Sequence, residues 1–173
     1  MDPVHVIVAA GAGVLAGPVI ARATRPWDAI PTSLAGALCG AGCAAMAARF
    51  DGQPVTVTAY CILVAALVAL VWIDVRTHRL PREISYPAAS VGGAVLLVAS
   101  VIEDAVDRLG PAVLGAALAT AILGLLFVVG RGGLGDGDVR LAPLLGMYLG
   151  YLDIVLVAVA LLIASVLGAV VAV

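Results

Sequence analysis

Residues 132–143, GGLGDGDVRLAP, hold two carboxylates, Asp136 and Asp138, one residue apart among glycines and between strongly apolar segments. A third carboxylate, Asp74, follows the apolar run 55–73 with no polar spacer, inside WIDVRTHRLPREISYP, 72–87. An ionisable group at the edge of such a run is costly and rarely idle. Two carboxylates that approach closely cannot both ionise cheaply, so they titrate as a unit and keep one proton between them. Such a pair suits acid–base hydrolysis, in which one group takes a proton from water and the other protonates the carbonyl oxygen of the bond being cut. The same residues would also serve a proton- or cation-coupled carrier, or stand at membrane edges with no chemistry. Carrier sites usually lie near the bilayer midplane on broken helices, whereas these aspartates fall at the ends of apolar runs.

Other chemistries find less support. Cys39, Cys43 and Cys61 are too few for a disulfide framework, and His5 and His78 lie far from them in sequence. The expectation is no metal and no cofactor, with the cysteines as small packing residues. The net charge of −2 gives no argument for nucleic acid.

The elements that must position the carboxylates follow from composition. The chain has 173 residues, 64% hydrophobic and 12% charged, where a soluble domain has about 45–50% and about 25%. This reads as an integral membrane protein of the all-α class, a polytopic bundle forming a single domain over residues 1–173. A span needs roughly 20 apolar residues. The stretches 4–21, 30–48, 55–73, 85–102, 111–130 and 153–173 come near that length, and 139–152 is shorter. About seven helices are expected, with six or eight as alternatives. The N-terminal stretch lacks the positive start of a signal peptide and is read as a retained helix. Gly13, Gly17, Gly36 and Gly40 have the small-xxx-small spacing of closely packed membrane helices.

If the spans alternate, Arg22, Arg25, Arg76, Arg79, Arg82, Arg131 and Arg140 fall on one side, and Arg49 and Arg108 on the other. The positive-inside rule makes the first side cytoplasmic. The N-terminus is then outside the cell membrane of a prokaryote, and the C-terminus and both carboxylate loops are inside. Asp74 would sit at a helix C-terminus, where the dipole disfavours an anion, and Asp138 at a helix N-terminus, where it favours one. Gly132, Gly133, Gly135 and Gly137 would let an extended peptide approach the loop backbone. Pro81 and Pro87 would stop the stretch after Asp74 from continuing as one helix.

Taken together, the two loops resemble the type IV prepilin peptidases, membrane aspartic proteases of the GxGD group. That family places a proline seven positions after its first aspartate, as Asp74 and Pro81 stand in DVRTHRLP. Its second segment reads glycine-x-glycine-x-glycine-aspartate-x-lysine-leucine, then alanine and a glycine. Gly133 to Ala142, with Gly146 beyond, follows it. The resemblance is strongest over 55–150. It implies catalysis by Asp74 and Asp138, a loop shaped by Gly133, Gly135, Gly137, Pro81 and Arg140, and cleavage of the leader from type IV pilin-like precursors at the cytoplasmic face. Arg140 stands where the family has lysine. Arg140 and Leu141 fix the register that makes Asp138 catalytic and leaves Asp136 as a capping or loop carboxylate. Asp28, Glu83 and Asp136 would be available to attract a basic leader. Long members carry paired cysteines after the first span. RATRPWDAIP, 22–31, holds none, so a short form without N-methyltransferase activity is expected. Archaeal preflagellin peptidases are close cousins. Presenilin-like enzymes fit less well, since Trp72 and Ile73 precede Asp74 where those carry tyrosine.

Overall fold

The computed structural model describes residues 3–78, 80–130 and 135–171. Among them are seven α-helices and no strand: α1 Pro3–Thr24, α2 Thr32–Arg49, α3 Pro54–Thr77, α4 Arg82–Ile102, α5 Leu109–Val129, α6 Asp136–Leu152 and α7 Ile154–Val171. A 3-10 turn, Val106–Arg108, leads into α5. The all-α bundle expected from composition is therefore what the chain forms. Arg79, Arg131, Gly132, Gly133 and Leu134 lie outside the described residues.

Four helical segments are long and apolar enough to cross a membrane: Pro3–Thr24, Pro54–Thr77, Arg82–Ile102 and Val106–Val129. The stretch expected as a second span becomes α2, 18 residues rich in glycine and alanine, which carry little apolar surface. A shorter apolar helix runs over Ile154–Val166. Large apolar side chains stay exposed along the long helices, Ile7, Leu15 and Val19 on α1 and Leu125, Val128 and Val129 on α5 among them. Helices apolar on every face need a surrounding that is apolar too, and this is a membrane protein.

The chain divides into two compact units, residues 1–104 and 105–173. In the first, α1 and α2 meet through glycines. A Cβ on Gly13 would lie 2.5 Å from the Cys39 carbonyl oxygen, and one on Gly17 would lie 2.8 Å from that of Thr32. The glycine pairs noted in the sequence are thus contact points of backbone on backbone. Ile20, Ile30, Ala35, Cys39 and Ala69 form the core beside them.

Helix α3 is held at its start by α4. Its cap residue, Gln53, makes no side-chain capping bond to the helix. The Glu103 carboxylate accepts instead from the backbone N–H of Val55 at 2.7 Å and of Thr56 at 3.2 Å, and from the Thr56 hydroxyl at 2.5 Å. Donors that helix geometry leaves unpaired are satisfied from a neighbouring helix, by an anion placed where the dipole favours one.

In the second unit α5 and α6 interlock more tightly. A Cβ on Gly146 would collide with the Gly115 carbonyl oxygen, one on Gly115 with that of Gly146, and one on Gly150 with that of Pro111. Ala119, Ala142 and Val157 pack as a core among α5, α6 and α7.

Gly146→Leu is expected to abolish folding of the second unit, because rigid backbone faces the new side chain. Gly124→Ala, which meets nothing within 4 Å, is expected to leave the melting temperature unchanged or slightly raised. Thermal unfolding in detergent, followed by circular dichroism, distinguishes the two. Glu103→Ala leaves Val55, Thr56 and a hydroxyl without their acceptor and is expected to cost about 1–3 kcal/mol in the same measurement.

Candidate active site

The first unit supplies Asp74. Leu70 and Ile73 on α3 are buried, and the helix runs on into Asp74, which is exposed in its final turn. The turn is closed by two bonds, one from the backbone and one from a side chain. His78, in the left-handed region at φ 50°, donates its N–H to the Asp74 carbonyl at 2.8 Å. The Thr77 hydroxyl donates to the Ile73 carbonyl at 2.9 Å. A residue in that conformation ends a helix.

Pro81 then starts α4 in extended conformation, with φ −69° and ψ 125°. Its carbonyl accepts from Ile84 N–H, Ser85 N–H and the buried Ser85 hydroxyl. Pro81 does divide α3 from α4, as the sequence suggested. Pro87 does not break anything, because α4 runs through it. A proline inside a helix forfeits one hydrogen bond, and membrane helices tolerate this.

The segment after α1 is fastened to α3 beside this turn. Thr24, fully buried, accepts the Ile30 N–H at 3.1 Å and donates to the Ile20 carbonyl. Trp72 donates its indole N–H to the Asp28 carbonyl at 3.0 Å. Arg76 pairs with the Asp28 carboxylate at 3.4 Å and lies over the Trp72 ring, 4.8 Å from its centroid. Trp72 and Arg76, four apart, share one helix face, and Asp74 falls on the other side. The nearest arginine in sequence is thereby committed to Asp28. Among the described residues no cation is paired with Asp74.

The second unit supplies Asp138. Gly135, with φ −68° and ψ 137°, is the cap residue of α6, and Asp136 and Asp138 occupy its first turn. The Asp138 N–H donates to the Gly135 carbonyl at 3.1 Å. Its carboxylate folds back over the helix start, so that a Cβ on Gly135 would touch Oδ2 at 3.5 Å. Gly135 thus leaves open the space directly above the carboxylate. Gly137 lies between the two acids in the same turn.

The cap position belongs to Gly135, and Asp136, in the first turn, pairs with Arg140 one turn on. An acid placed four residues before a base is the favourable order on a helix. Asp138 instead borders a cavity of about 600 Å³ whose other lining is almost wholly apolar, including Leu123, Leu141, Leu145 and Leu161.

The model for the type IV leader peptidase family matches residues 61–173. The chain belongs to that family. The match takes in Asp74, Pro81, Gly135, Gly137, Asp138 and Arg140. Comparison with the curated proteins and with the solved structures gives no match.

Membership of the leader peptidase family makes the chain a membrane peptidase and directs attention to its carboxylates. Of the three acids expected to attract a basic leader, each has an arginine of its own: Asp28 has Arg76, Glu83 has Arg82 at 3.6 Å, and Asp136 has Arg140. Their charge is already balanced locally. Two features were missed in the sequence pattern, the Glu103 hold on α3 and the Trp72–Asp28–Arg76 cluster. An aromatic and an arginine four residues apart at a helix end is the cue that could have pointed to the second.

Trp72→Leu removes both the indole bond and the ring under Arg76. Faster hydrogen exchange is expected over residues 25–31, with the exchange of α5 and α6 unchanged.

Proposed function

We propose that Asp74 and Asp138 form the catalytic pair of an aspartic endopeptidase that removes the leader from type IV pilin-like precursors. The observation that carries this reading is that one family match spans both carboxylates. The place of Asp138 on the lining of the apolar cavity supports its choice.

In this reading the two units work as a single peptidase domain at the cytoplasmic face of a prokaryotic cell membrane. The pair holds one proton between its two carboxylates. The ionised group draws a proton from water as that water attacks the scissile carbonyl. The protonated group gives its proton to the carbonyl oxygen, which would otherwise carry the developing charge. As the tetrahedral intermediate collapses, a proton passes to the departing amine and the pair returns to its starting state. No metal or cofactor enters the scheme.

Substrate presentation follows from the surroundings. A peptide must be extended before its carbonyl is open to attack. Gly135, which carries no side chain beside the Asp138 carboxylate, would leave room for an extended backbone there. The apolar helix that follows the cut in such precursors would remain in the lipid.

Co-expression with a type IV pilin-like precursor, read by the mass of the mature product, tests the proposal. Asp74→Asn and Asp138→Asn are each expected to lower processing by at least about 100-fold. Asp136→Asn is expected to retain most of it. Full processing by either of the first two variants would remove the mechanism.

A further inference from the structure

The cavity beside Asp138 has a shape of its own. It is lined by one face each of α5, α6 and α7, all within the second unit. On α6 that face runs Asp138, Leu141, Leu145 and Leu149, in steps of three or four residues. Such steps keep to one side of a helix. Ala119, Leu123 and Leu126 do the same on α5, and Val157, Ala160 and Ala164 on α7. From Asp138 to Leu149 the α6 face extends about 16 Å at 1.5 Å per residue. The cavity is therefore a cleft along the helices, with the carboxylate at one end.

Helix α7 closes only part of it. Ile154, Val157 and Leu161 pack in the core of the unit, whereas residues 162–166 are exposed. Helices α6 and α7 are joined through Asp153 alone, and α7 returns along α6, so its open part is level with the start of α6. Asp138 and Ser165 are the polar side chains of the lining. The Ser165 hydroxyl donates to the Leu161 carbonyl at 2.7 Å. Every other lining residue is apolar or glycine.

Charge and size decide what fits. A lipid chain entering at the Asp138 end would bring its phosphate or carboxylate up to that residue, and like charges oppose each other. A peptide brings a neutral amide instead, whose N–H can donate to a carboxylate. In lipid a peptide satisfies its own backbone as a helix. A helix about 16 Å long and about 10–12 Å across displaces about 1,300–1,800 Å³. The cleft holds about 600 Å³. It therefore admits the side chains of one helix face and leaves the other faces in lipid.

We propose that this cleft seats one face of the apolar precursor segment that follows the cut, and that Ala160 and Ala164 determine which side chains it takes. The proposal rests on the reading of Asp138 as a catalytic residue. The segment lies along α6, and its side chains three or four residues apart enter the cleft. The bond to be cut is thereby brought to the Asp138 end. Ala160 and Ala164 leave the room that those side chains need, and larger residues at either position would fill it.

The test irradiates the full chain in detergent with a synthetic peptide of about 20 leucines and alanines that carries benzoylphenylalanine near one end. Mass mapping is expected to place the adduct on the cleft faces of α6 and α7. Ala160→Phe and Ala164→Phe, at positions that are not buried, are each expected to lower its yield. Each is also expected to raise the KM for precursor processing about 10-fold with kcat unchanged, the mark of lost binding. Val113→Phe, exposed on α5 and outside the lining, is expected to change neither. Adducts outside the cleft, undiminished yield in both alanine variants, or a tightly held lipid that Ala164→Phe expels would overturn the proposal. The adduct map of the wild type decides even where a variant fails to fold. It also needs no cleavage. Full processing by Asp138→Asn with the adduct still in the cleft would remove the catalytic reading alone, and lost processing with adducts elsewhere would remove the seat alone.

Discussion

Apolar side chains gain nothing by leaving lipid tails for one another, and so the hydrophobic effect does not hold one membrane helix against the next. Attraction must come from close approach and from polar contacts that have no water to compete with. This chain relies on both. Where Gly115 faces Gly146 and Gly150 faces Pro111, the helix backbones touch directly, and dispersion acts at its shortest range. Gly13 and Gly17 do the same for α1 against α2. The position of Asp138 depends on this, because among the described residues of its unit α5 is the helix that meets α6 most extensively.

The second organising fact is how the acidic groups are apportioned. Asp28, Glu83 and Asp136 are matched with arginines, and Glu103 is spent on the start of α3. Balanced groups of this kind are inexpensive to keep near a membrane, and exposed pairs add little to stability. Asp74 stands apart from that accounting, and Asp138 is set at the rim of an apolar hollow. Both residues lie within the stretch that matches the family.

Much of this was legible in the residues. Apolar run length located the helices, because in lipid a helix satisfies its own backbone and little else decides its extent. The spacing of Gly13 with Gly17 and of Gly36 with Gly40 announced close packing before any contact was known. Pro81 was correctly read as a divider, whereas Pro87 was not, since local rules for proline describe water better than a membrane interior. Asp136, read as a capping or loop carboxylate, stands in the first turn of α6 and pairs with Arg140 four residues ahead. The Glu103 contact to Val55 and Thr56 had no local signature at all. It joins residues 47 and 48 positions apart, which only the pairing of α3 with α4 brings together.

That contact bears on how steady the last turn of α3 is. Helix ends are ordinarily the first parts of a fold to fray, opening and closing many times before anything global happens. Here α3 is gripped where it begins by Glu103, and where it finishes by the His78 turn and the Thr77 hydroxyl. Helix α4 thus fastens α3 where it begins, while the far end, which carries Asp74, is closed by bonds of its own, so that last turn is expected to open less often than a bare helix end.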